Sequence, residues 1–199
     1  MNIVSLGYRC QVSSAMRNLG IRKFAGPFDW HMSKNIKWVI ELIQNNFEDF
    51  LNDNIMTYVG DRECDSYIHD LKRDVKIVHP SHFHGEKTAR AISDTSVNEL
   101  IAQHKIRSQR VRDMMDLEGT ILFVRESPIT HQEDPIWILK SLQDISTAKI
   151  LLMFSSDEEP PLDLPEEICY IQILAGTSSD EILSKFTHAI KEIYETYTG

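Results

Sequence analysis

The sequence predicts an α/β fold: a single domain over residues 1–199, three-layered and Rossmann-like, with a mainly parallel sheet of about five strands and helices on both faces. Two observations carry this. Short apolar runs (Ile3–Leu6, Val75–Val78, Ile121–Val124, Ile150–Phe154 and Cys169–Leu174) are separated by segments whose apolar residues recur at helical spacing. That alternation is the pattern of strands joined by helical crossovers, which require a parallel sheet covered on both sides. Composition agrees, because 42% hydrophobic and 26% charged residues over 199 positions suit an ordinary globular core.

Each element has a local reason. Ile3–Leu6 is closed by Gly7, and Val12, Ala15, Met16 and Leu19 then fall on one helical face that ends at Gly20. Gly26-Pro27-Phe28-Asp29-Trp30 joins turn formers to two large aromatics. Ser33 is a candidate cap for a second helix with Ile36, Val39, Ile40, Ile43 and Phe47 inward. Residues 52–73 are mixed and polar and carry no clear period. A long helix is expected over about 95–117, with Lys105, Arg107, Arg110 and Arg112 on its solvated faces. Asp134-Pro135 supplies an N-cap and first helical position, and Ser178 with Glu181 forms a capping box.

Charge and cysteine usage narrow the function classes. A formal net charge of −9 disfavours nucleic acid and anionic membrane as partners, since both need a basic footprint. Cys10, Cys64 and Cys169 are odd in number and lack a C-x-x-C, so neither a disulfide framework nor a structural zinc site is expected. The N-terminal residues lack the charged and apolar regions of a signal peptide, and a reducing cytoplasm is the expected location. No cofactor or metal is expected. His79, His82 and His84 have a chelating spacing, but no cysteine or acidic residue completes a recognised pattern.

In an open parallel sheet, ligands bind beyond the carboxyl ends of the strands. That rule gathers Ser5, Gly7, Arg9 and Cys10, the histidines from His79 onward, Arg125-Glu126 and Ser155-Ser156-Asp157 at one rim. Cys10 stands out, because the start of a helix and nearby arginines favour a thiolate. The competing reading is a small buried hydrophobe. Asp29 could orient an imidazole or tie its own loop by hydrogen bonds. The phosphotyrosine phosphatase spacing fails, since position 16 is Met and the arginine comes at Arg17; a nucleotide-binding glycine loop fails too, with Gly7 alone at the turn.

Taken together, Ser5-Leu6-Gly7-Tyr8-Arg9-Cys10, Leu19-Gly20-Ile21-Arg22, Gly26-Pro27-Phe28-Asp29-Trp30 and Phe47-Glu48-Asp49-Phe50-Leu51 resemble a known series. It is that of a family catalogued as "putative papain-like cysteine peptidases" and also filed as a domain of unknown function. The resemblance continues more loosely through Val78-His79, the Arg110 helix and Leu122-Phe123-Val124-Arg125, about the first two-thirds of the chain. It implies Cys10 as nucleophile, His79 as histidine base and Asp29 as an orienting group. The first functional expectation is therefore a cysteine-dependent hydrolase or acyl transferase acting on a peptide or small molecule. Two alternatives stay open. One is a transferase or binding module holding a phosphorylated or sugar ligand through Ser5, Gly7, Arg9 and Arg125. The other is a non-catalytic interaction domain. Oligomeric state is not legible.

Overall fold

The computed structural model describes residues 1–48, 50–51, 55–58, 67–72, 74–78, 94–127 and 133–198. Within them lie two four-stranded sheets and five helices. The first sheet is wholly parallel, in the order β1 (Asn2–Ser5), β6 (Thr120–Glu126), β7 (Lys149–Ser156), β8 (Ile168–Gln172). The second is antiparallel, in the order β2 (His31–Ser33), β5 (Val75–Val78), β4 (Tyr67–Asp70), β3 (Ile55–Tyr58).

The chain is thus mixed α/β, and the expectation of one five-strand, Rossmann-like sheet is corrected. Residues 75–78 belong to the antiparallel sheet. The physical reason is visible in the run itself. Val75 and Ile77 are buried while Lys76 between them is partly exposed, the alternation of a strand with one wet face. Ile121-Leu122-Phe123-Val124 are all buried, as a strand covered on both faces requires.

Alternation along the parallel strands feeds two cores. Ile3, Leu122, Val124, Leu151 and Met153 pack with Val12 and Met16 of α1 (Gln11–Asn18) and with Ile182, Phe186 and Ile190 of α5 (Ser179–Thr198). Val4, Ile121, Phe123, Leu152 and Phe154 join a larger cluster. It includes Ile36, Val39 and Ile40 of α2 (Ile36–Gln44), Leu100 and Val111 of α3 (Asp94–Met115), and Ile138 and Leu142 of α4 (Pro135–Gln143). Ile68, Val75 and Ile77 of the antiparallel sheet enter that same cluster, so both sheets share one apolar interior.

Helix starts follow the capping logic. Asp134 accepts from the backbone N–H groups of Ile136 and Trp137, and Ser178 Oγ accepts from Glu181 N–H at 3.3 Å. The expected cap at Ser33 moves two residues on, to Asn35, whose side chain accepts from Lys37 N–H at 3.0 Å. Ser33 ends β2 instead, and its hydroxyl is taken by an arginine described below. No helix among the described residues is long and apolar enough to cross a membrane.

Candidate functional site at the carboxyl rim of the parallel sheet

Strand register brings the candidate residues together. Ser5 pairs with Val124, Glu126 with Ser155, and Ser156 with Gln172, so these strands end at one rim. The chain leaves β1 through Gly7 and Tyr8, both with positive φ (84° and 86°). Gly7 also has no room for a side chain, because an added Cβ would lie 2.8 Å from Ser33 Oγ. Ser5 is fully buried, and its hydroxyl accepts from Gly7 N–H at 3.1 Å, so it shapes the turn from within. The left-handed pair swings the chain so that Arg9 and Cys10 follow at the rim, with Cys10 as the N-cap of α1.

Cys10 is half-buried. Its pKa is raised above the ordinary thiol value: burial is the main cause and the Glu126 carboxylate adds to it, while its own backbone N–H and Arg9 pull the other way. The expected depression by the helix start is therefore reversed. One eight-residue helix and one half-exposed arginine do not offset the loss of water around the sulfur. Among the described residues no histidine is hydrogen-bonded to this thiol. His79, His82, His84 and Cys64 lie outside the described residues.

Arg9 lies 3.5 Å from Glu126 Oε1 and sits over the Tyr8 ring, 5.1 Å from its centroid. Glu126 is 4% exposed, and burial lifts its pKa to about 7 against the pull of Arg9 and Arg125. Among the described residues its second oxygen has no hydrogen-bond partner, nor does the hydroxyl of Ser155, which is 1% exposed. Both residues line a cavity of about 110 Å³ that reaches from Tyr8 and Arg9 to the turn before α5.

Arg125 has a different part. It is fully buried, and its five N–H donors are matched by five acceptors. Nε and one terminal nitrogen bind the two carboxylate oxygens of Glu133. The remaining bonds go to Leu6 O (3.2 Å), Ser33 Oγ (2.9 Å) and Ser33 O (2.9 Å). The guanidinium thus clamps the end of β1 to the end of β2, and its donors are spent on the protein itself.

Asp29 is likewise spent. Its Oδ2 accepts from Arg22 and from Gly26 N–H (2.9 Å), and its carbonyl accepts from Ser13 Oγ at 2.7 Å. These bonds close the Pro-Phe-Asp-Trp loop and fasten it to α1, the loop-tying reading of this residue. Phe28 is fully buried beneath the loop, and Arg17 covers the Trp30 ring.

His31 is the residue the sequence reading missed. It follows the loop, is fully buried, and has no hydrogen-bond partner on either ring nitrogen among the described residues. Its ring packs against Phe28, Phe50 and His104, with centroids 5.8, 5.9 and 5.0 Å away. Burial, with help from His104 and Arg107, holds its pKa well below the usual histidine value, so it is neutral. The available signal was its place in the alternation His31-Met32-Ser33, where positions 31 and 33 point inward.

No solved structure matches this chain. A segment of 47 residues is 38% identical to an uncharacterized protein, R408, of Acanthamoeba polyphaga mimivirus. That match covers 24% of this chain and 21% of the viral protein. A family profile matches far more, residues 1–154, including β1, Cys10, the Pro-Phe-Asp-Trp loop, β6 and Glu126. The chain belongs to the family described as "Putative papain-like cysteine peptidase".

Proposed function

We propose that this protein is a cysteine-dependent hydrolase or acyl transferase in which Cys10 is the nucleophile. The observation that carries the reading is the position of Cys10. It caps a helix at the carboxyl rim of a parallel sheet, beside an arginine–glutamate pair that lines a small cavity. The resting group is a thiol, so its proton must leave as the sulfur attacks the substrate carbonyl. The C–S bond forms, the leaving group departs with a proton, and water or a second acceptor then takes the acyl group. Unpaired N–H groups in the first turn of α1 are suited to hold the developing oxyanion.

His79 is the proposed base. It directly follows β5, and β5 pairs with β2, the strand that continues the Pro-Phe-Asp-Trp loop. Glu126, whose carboxylate acts on the Cys10 thiol, supplies a second proton acceptor with a proton affinity matched to neutral pH. The alternative reading, an anion held through Arg125, loses support because that guanidinium has no donor to spare.

Intact-mass analysis after mixing with an activated ester tests the reading. A stoichiometric acyl adduct should form and map to the Cys10 peptide, and Cys10→Ala should form none. His79→Ala should slow its formation near neutral pH. An adduct on Cys169 instead, or equal acylation of the Cys10→Ala protein, would sink the proposal.

A further inference from the structure

The cavity next to Cys10 has walls of opposite character. Arg9 offers donors, whereas Glu126 Oε2 and Ser155 Oγ are buried polar atoms with no hydrogen-bond partner among the described residues. Glu126 and Ser155 are register partners on adjacent strands, so the two open groups stand side by side. Leaving both unpaired is costly, and a ligand that pairs them recovers that cost. The rest of the lining includes Ile173, Leu174 and Ile182, which suit a short aliphatic stem.

Charge decides what the head of that ligand is. A carboxylate would meet Glu126 and Asp157; an ammonium would meet Arg9. A neutral head that accepts from Arg9 and donates to both neighbouring groups at once fills every open position. A hydroxyl has one hydrogen to give, whereas a primary carboxamide has one carbonyl and two N–H donors. The volume, about 110 Å³, suits a group of a few heavy atoms.

We propose that this cavity recognises a primary carboxamide, such as a glutamine or asparagine side chain or a terminal amide, on the substrate presented to Cys10. As a specificity pocket it rests on the reading of Cys10 as nucleophile, but binding itself is measured without turnover. Four three-carbon probes, propionamide, propionate, propylammonium and 1-propanol, are titrated into ¹⁵N-labelled protein at pH 7.5. Propionamide should shift the amide resonances of Ser127, Ser155 and Ser156 saturably, at least about tenfold more tightly than the other three. Ser155→Ala removes a hydroxyl without a partner and should keep its fold while weakening propionamide binding several-fold. Glu126→Gln releases Arg9 and should raise propionate affinity relative to propionamide. Equal or tighter binding of propanol, propionate or propylammonium to the native protein would overturn the proposal, as would unmoved resonances. Amide binding without acylation of Cys10 would sink only the nucleophile; acylation without amide binding would sink only the pocket.

Discussion

Replacing Glu126 by Gln separates the charge of this side chain from its shape. In the folded protein its pKa rises from an ordinary 4.5 to about 7, with burial the leading cause. At about 1.4 kcal/mol per pH unit, ionising it in place costs roughly 3 kcal/mol more than ionising it in the unfolded chain. Because the folded value is the higher one, the stabilising contribution is complete below pH 4.5 and is lost as pH rises through 7. Glutamine mimics the protonated acid and carries no such dependence. Urea unfolding of both proteins at pH 4.5, 6, 7 and 8 should give nearly equal stabilities at pH 4.5. At pH 8 the variant should be more stable by about 2–3 kcal/mol. Arg9, freed from its pair, is exposed enough to reach water, so its loss of a partner adds little. A stability difference that does not change between pH 4.5 and 8, or a variant less stable at pH 8, would refute the reasoning.

Other perturbations follow from the same geometry. Arg125→Met strands the buried Glu133 carboxylate and should cost about 3–5 kcal/mol in chemical denaturation. Gly7→Ala places a methyl group 2.8 Å from Ser33 Oγ at a φ of +84°, and should lower the melting temperature by several degrees, corresponding to about 1–3 kcal/mol. His31 and His104 fold neutral, the latter with a pKa of about 3, both through burial first. Their stabilising contribution is present above pH 6.5 and lost as pH falls through the folded values. In NMR titration their ring resonances should stay unmoved from pH 7.5 to 4.5. Iodoacetamide labelling of native Cys10, followed by peptide mapping, should have its pH midpoint above that of an ordinary cysteine thiol, and in Glu126→Gln the midpoint should fall because a repelling carboxylate is gone.

The parallel sheet was legible because its strands announce themselves. Four consecutive apolar residues at 121–124 and five at 150–154, each flanked by polar residues, suit a short strand buried on both faces. Cys10 at the rim followed from the same topology. The antiparallel sheet was not legible, because Ile55-Met56-Thr57-Tyr58 and Tyr67-Ile68-His69-Asp70 mix polar and apolar residues, and their pairing depends on a partner strand that sequence spacing does not reveal. Site roles were less visible still. Arg125 and Glu126 are neighbours at the end of one strand, with side chains directed to opposite faces. One becomes a saturated clamp and the other an acid with an open oxygen. That difference comes from Glu133, Ser33 and Ser155, which sequence spacing alone does not join to Arg125 or Glu126.

The Arg125 clamp also constrains the order in which the molecule can be made. Its bonds to Leu6 and Ser33 span 119 and 92 residues, and among the described residues β1 pairs only with β6. A nascent chain emerging at about 5–20 residues per second carries the Cys10 turn for several seconds or more before its partners exist. During that interval β1 has no β6 to join, and the turn at Gly7 and Tyr8, with its positive φ angles, has the local Ser5–Gly7 bond but not the Arg125 clamp. The candidate nucleophile is therefore assembled only once β6 has emerged, and α5, which packs on α1, follows later still, so a chain truncated before residue 125 carries Cys10 but not its site.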